Sequence, residues 1–205
     1  MTANNKLTPA QKNLQLWCNY IYLDTDERRR FAQVSHEYLI EQVQTQTLSG
    51  LNTNYNEIEL IFNHPVKEII WGFLFTPWGS ASSFDDNTFL CKYNNSTMCN
   101  LKLNGQDRFA SQNIEYFTRY QPMQYHTSQG RGANLDTIAV YSFALNPEEH
   151  QPSGTCNFSR IDNSVLLLKH LTGGVGLASN IFNIYAINYN VLRIMSGMGG
   201  LAYSN

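Results

Sequence analysis

Apolar and polar residues alternate with a period of two over much of this chain, and a 3.6-residue period is sustained nowhere. Leu14 to Leu23 (LQLWCNYIYL) is aromatic and β-branched and predicts a strand. A short helix is predicted next. Asp24 or Thr25 caps it, and Asp26 and Glu27 sit in the first turn, where the helix dipole favours acids. Arg28, Arg29 and Arg30 form its solvated face, and Phe31 and Val34 share an apolar side. His36 to Thr47 reads as a second strand. Ile58, Leu60 and Phe62 alternate with Glu57, Glu59 and Ile61, so one face is buried and the other largely wet.

Asn63-His64-Pro65 interrupts that strand, and Val66 to Phe75 restarts it. Thr76 opens a loop expected to run to about Asn100. Asn104-Gly105 signals a hairpin turn. Further strands are predicted at Ile114 to Tyr120 and Ile138 to Leu145, with a polar loop over 127–134 between them. The continuous apolar run Val165 to Leu168 suits a strand buried on both faces, and Ile181 to Ile194 is the longest alternating segment. Thr172 to Ser179 is a Gly-rich turn, and the tail from Ser196 is expected to be flexible until something pins it. The sum is one all-β domain: a single eight-stranded antiparallel jelly-roll sandwich with one short helix, free of internal repeats.

Composition sharpens this picture. Hydrophobic residues make up 42% of the 205, enough for a core at a length where roughly 70% of the unfolded surface is buried on folding. Only 15% are charged, against about 25% in ordinary domains. Amides and tyrosines replace the missing charge: there are 12 Tyr, and Asn is roughly one residue in nine. Protein interfaces are poor in charge and rich in aromatics, so a building block or binding module is favoured over an enzyme. With 14 Lys and Arg and a net charge of −2, direct nucleic-acid binding is not expected. No stretch approaches 18 consecutive apolar residues, and the polar N-terminal residues lack the apolar core of a signal peptide.

Candidate chemistry is sparse. The five histidines (His36, His64, His126, His150 and His170) lie far apart, with neither an HxH pair nor HExxH. Glu149-His150 is the nearest to a ligand pair. Neighbours on a strand point to opposite faces, so these two could chelate only from a turn, and no metal site is expected. The glycine clusters at 172–176 and 197–200 match neither phosphate-loop pattern. Cys156 near His150 has no visible activating context, and Cys18, Cys91, Cys99 and Cys156 are read as free thiols. No catalytic, cofactor-binding or metal residue is assigned and no cofactor is expected. Asn94, Asn95 and Asn157 head glycosylation sequons that matter only on a secretory route.

Four segments add a resemblance: IYLDTDERRRFAQVSHEYLIEQ from Ile21, NHPVKEIIW from Asn63, YSFALNPEEHQPSGTCNFSRID from Tyr141, and the closing NYNVLRIMSGMGGLAYSN. In this order they resemble the major capsid protein of the nucleocytoplasmic large DNA viruses. LNGQDRF from Leu103 and RYQPMQYHT from Arg119 fit the same pattern. The resemblance implies a structural protein with two jelly rolls in tandem. Its homotrimers form pseudo-hexagonal capsomers that tile an icosahedral shell over an internal membrane. Neighbouring capsomers and minor capsid proteins are the implied partners, and a virion assembled in the host cytoplasm is the implied location. The family pattern has a first jelly roll before Leu14. Residues 1–13 are therefore expected to be a polar leader or linker, and 14–205 the C-terminal jelly roll. In that pattern NPEEHQPSGT is a turn-rich connection whose Pro147, Pro152 and Gly154 set the backbone, with Glu148, Glu149 and His150 free for polar contacts. The competing reading is a glycan-binding jelly roll using Trp78 and Tyr120 to His126. A jelly-roll metalloenzyme ranks third.

Overall fold

The computed structural model describes residues 15–52, 54–75, 90, 91, 93, 95–127, 136–171 and 180–204. The alternating segments pair into two antiparallel sheets. The first holds β1 (His36–Ser49), β3 (Pro65–Phe75), β4 (Leu90–Cys91), β8 (Ile138–Ser142), β9 (Cys156–Asn157), β11 (Asn180–Met195) and β12 (Met198–Leu201). The second holds β2 (Tyr55–Glu59), β5 (Met98–Leu103), β6 (Gln106–Asp107), β7 (Gln112–Asn113) and β10 (Ser164–Lys169). Four of these strands are two-residue pairings, which leaves eight longer ones among the described residues.

One apolar core fills the space between the sheets. Ile69, Trp71, Phe73, Phe182, Ile184 and Ala186 supply it from the first sheet, and Ile58, Leu101, Leu166 and Leu168 from the second. Trp71 packs on Phe117 with ring centroids 5.4 Å apart, and Phe73 on Phe182 at 4.7 Å. The alternation expected around β2 is present: Ile58, Leu60 and Phe62 are buried while Glu57, Glu59 and Ile61 are exposed. The run within β10 is buried on both faces at Leu166, Leu167 and Leu168. Asn104 (φ 51°) and Gly105 (φ 78°) turn β5 into β6, and the left-handed backbone at both positions is what Asn-Gly tolerates.

Four expectations change. Residues 15–24 form no strand, and Leu16, Trp17, Ile21 and Tyr22 are almost fully exposed. Alternation supplies a face to bury but not a partner to bury it against. Residues 114–125 are helical rather than extended: a π-helical turn at Tyr116–Tyr120 runs into α2 (Gln121–Tyr125). Ile114, Phe117 and Gln121 are all buried, at a spacing of three and four that belongs to a helix face. The loop expected to reach Asn100 contains β4 and the start of β5. The tail is not loose, because Ser196 and Gly197 make a left-handed turn and β12 folds back on β11. The turns expected at 172–179 and most of 127–134 lie outside the described residues, as do residues 1–13.

The helix before β1 forms as its sequence dictates. In α1 (Thr25–Gln33) Asp24 and Glu27 complete a capping box, and Asp26 and Glu27 occupy the first turn. None of its residues is buried. Phe31 instead stacks on His36 at 4.7 Å, so its apolar side touches the start of β1 rather than the core.

Candidate functional site

Strands β1 and β11 pair without interruption from His36–Ile194 to Ser49–Ile181, and paired residues share a face. Phe182, Ile184 and Ala186 mark the inner face, so their partners Leu48, Gln46 and Gln44 point inward too. Gln46 donates from Nε2 to the Glu59 carbonyl at 2.7 Å, and its Oε1 accepts from the Ile61 N–H at 3.1 Å. Gln44 does the same with both backbone groups of Asn63, at 2.7 and 3.0 Å. A carboxamide carries the same donor and acceptor as a peptide group. Two glutamines thus act as rungs of a ladder, tying the edge of the first sheet to the backbone that leaves β2. Asn188 and Asn190, both buried, continue the amide row through Gln44 and Gln42 at 3.0 and 2.9 Å. The excess of amides over charges has a use here: amides seal the sandwich edge.

The outer face of the same ribbon is sealed by charge. The register between β3 and β11 slips between Ile187 and Asn188, because Lys67 is an extra residue in β3. This bulge turns the Lys67 carbonyl toward the N–H groups of Phe143 and Ala144, which donate to it at 2.9 and 3.2 Å. Chain 143–154 is thereby docked beside the outer face. The Lys67 side chain, only 3% exposed, reaches Glu41 Oε1 at 2.7 Å and lies 5.6 Å over the Tyr189 ring. Gly154 closes the docked segment with φ at 145°, and a Cβ there would sit 2.8 Å from the Phe143 carbonyl oxygen.

Two histidines join this face. His126 follows α2 and places Nε2 3.1 Å from Glu68 Oε2 and Nδ1 3.2 Å from Glu148 Oε1. His150 places Nδ1 3.5 Å from Glu41 Oε1, from a largely exposed position. Burial pushes the Glu68 carboxyl above its ordinary range, against the opposing pull of His126 and Lys67. Glu148 moves the other way, because the Thr127 hydroxyl and backbone N–H both donate to it. Further along, Arg119 grips the buried Asp136 carboxylate in a two-pronged pair at 2.8 and 2.7 Å, which fixes the π-helical turn against residue 136.

The residues singled out from the sequence fall at several places in the fold. His150 and Glu148 make polar contacts, with Glu41 and His126 respectively. The described residues hold no group of three or more His, Cys, Asp or Glu able to hold a metal ion. His36 stacks between Phe31 and Tyr38. Cys18, Cys99 and Cys156 are free thiols, and burial raises the titration of the last two. Asn157 spends its side-chain oxygen capping the turn at Ser159, at 3.1 Å. Of the aromatic platform considered for glycans, Trp78 lies outside the described residues; Tyr120 is exposed, and His126 is engaged by the two glutamates. Sequence reasoning missed Glu41, Lys67 and Glu68. The signal for them was a break in period at VKEIIW, where Val66 and Ile69 are both inward at a spacing of three.

Comparison with known proteins decides the family. The family model for the large eukaryotic DNA virus major capsid protein matches residues 27–200. This chain belongs to that family. The major capsid protein of Pyramimonas orientalis virus is 48% identical over 209 residues, which cover 93% of this chain and 48% of the relative. That of Paramecium bursaria Chlorella virus 1 is 41% identical over 244 residues, covering 96% and 55%. The solved PBCV-1 virus capsid superposes with a TM-score of 0.69 at 39% identity, over 91% of this chain and 56% of that one. The chain spans about half the length of these capsid relatives. The two antiparallel sheets are the jelly roll expected of a capsid protein, and the family assigns a structural role.

Proposed function

We propose that this chain is a shell-building jelly roll of a large DNA virus, the C-terminal half of a double jelly-roll capsid protein. The match over residues 27–200, combined with superposition on a solved capsid, carries this reading. Residues 1–13 serve as leader or linker. The protein trimerises into pseudo-hexagonal capsomers, meets neighbouring capsomers and minor capsid proteins, and lies over the viral membrane without crossing it. It performs no catalysis, and assembly takes place in the host cytoplasm.

Light scattering after size exclusion tests the self-assembly. A trimer of the 23.4 kDa chain weighs about 70 kDa. That mass is the expected result. A folded 23.4 kDa monomer at every concentration would remove trimer formation from this chain.

A further inference from the structure

The outer face of the first sheet gathers more negative charge than fixed positive charge. Glu41 comes from β1, Glu68 from β3 and Glu148 from the docked segment, and Lys67 is the one lysine paired with them among the described residues. Tyr189 of β11 supplies a ring but no charge. The remaining partners are His126 and His150, which are charged only when they hold a second proton.

At His126 the geometry is demanding. Its two ring nitrogens each face a carboxylate oxygen, at 3.1 and 3.2 Å. Neutral imidazole has one N–H and one lone pair, so it can donate to one of these oxygens and must repel the other. Nε2 and Glu68 Oε2 are both buried, lie 3.1 Å apart and have no hydrogen bond to any other group among the described residues. Their contact is favourable only with a proton between them, on the ring or on Glu68.

We propose that Glu68, His126 and Glu148 form a proton-operated clamp on chain 143–154, closed while the cluster holds one proton beyond the single N–H of neutral imidazole and opened when that proton leaves to solvent. Glu148 is the arm on the docked segment, Glu68 the arm on the sheet, and His126 the bridge. The extra proton is a property of the cluster rather than of one residue. The two carboxyls set the direction. Glu68 titrates above its ordinary range, so its contribution is complete under acid conditions and is lost as pH rises through the cluster's titration. Glu148 titrates below its ordinary range and stays ionised as the acceptor across that window. The clamp therefore opens on the alkaline side.

Hydrogen exchange on the full chain, corrected for the intrinsic rate at each pH, tests this. The reporters are the amides of Thr127, which donates to Glu148, and of Asn146 and Glu149 within the segment. Their protection is expected to fall about tenfold as pH is raised from the acid to the alkaline side of the cluster's titration. In Glu68→Gln the amide donates to Nε2 of neutral His126, so the fall shrinks to less than about twofold. Protection that does not change with pH in the parent chain, or the same fall in Glu68→Gln, would overturn the clamp. Should that variant fail to fold, ¹⁵N shifts of the His126 ring and ¹³C shifts of the Glu68 carboxyl in the parent decide it. At the acid pH where the reporters are protected, the extra proton is expected on one of them. A singly protonated ring beside an ionised Glu68 would refute the proposal.

Discussion

The ribbon of β1 and β11 is sealed twice, once on each face, and by different chemistry. Inside, where the first sheet runs to the edge of the second, Gln44 and Gln46 bond the backbone of 59–63. Outside, Lys67, Glu41, Glu68, His126 and Glu148 hold chain 143–154 in place. Amides do not titrate, and their hydrogen bonds are indifferent to salt. Ion pairs respond to both pH and salt, and a buried one is costly to leave half made. The inner seal is therefore constant under all solution conditions that preserve the fold, while the outer one responds to protons.

The largest test of that contrast is Lys67→Ala. It strips the lysine from Glu41, leaving His150 beside that carboxylate, and opens a void beside Tyr189. Removing one member of a buried pair costs about 3 kcal/mol, at the low end of the usual range because Glu41 is partly solvated. Urea denaturation near neutral pH should show the loss. Pairing Lys67→Met with Glu41→Gln removes both charges and keeps the volume, and is expected to recover most of it. Failure to recover would mean that packing, not charge, governs this face.

Gly154→Ala comes next. The added Cβ meets the Phe143 carbonyl at 2.8 Å in a backbone region that only glycine occupies readily. Strain of this kind costs about 2 kcal/mol. It acts on the docked segment, so the exchange protection of 143–154 should fall before that of β11 does. Equal losses in both would show that the segment unfolds only with the whole domain.

How much of these seals could be read in advance differs by residue. Asp24, Glu27, Asn104 and Gly105 announce a helix start and a hairpin because their signals are local. The alternation at Ile58, Leu60 and Phe62 reads directly as a buried face. Lys67 and Glu68 did not announce themselves, since two charges inside an apolar strand look solvent-facing unless a bulge is allowed for. Their partners Glu41, His126 and Glu148 lie in three other segments, and single-chain patterning carries no information on such long-range pairing. Gln42, Gln44 and Gln46 alternate with Val43 and Thr45 in a way that suggests a wet face of glutamines. The structure inverts this, because a carboxamide can stand in for a missing peptide partner. Residues 15–23 fail in the opposite sense: their pattern demands a partner strand, and none of the described residues supplies one.

Gln46→Ala probes the inner seal and is expected to cost about 1 kcal/mol, because water reaches the freed Glu59 carbonyl and Ile61 N–H. The informative variant is Gln46→Glu. An ionised carboxylate keeps the bond from Ile61 but faces the Glu59 carbonyl with no proton to donate. Stability should then rise as pH falls and the new carboxyl becomes protonated, restoring a donor. The parent has no such contribution from Gln46, so the difference between the two pH profiles isolates it. A flat difference would show that solvent, not the side chain, satisfies the Glu59 carbonyl.

The smallest effect belongs to α1, which has neither seal. With no buried residue and a single stack of Phe31 on His36, the helix is held chiefly by its own end. Asp24 accepts from the Thr25 N–H at 2.7 Å, and Glu27 reaches back to the Asp24 N–H at 3.3 Å. Asp24→Ala removes a cap worth about 1 kcal/mol to the helix. Global unfolding should barely register it, because the sandwich does not rest on α1. Fraying should appear instead in the amide exchange of residues 25–30. If the global midpoint dropped by the full value of the cap, α1 would have to be packed against the sandwich, and the exposed helix would be bound to the fold as firmly as the two sealed faces.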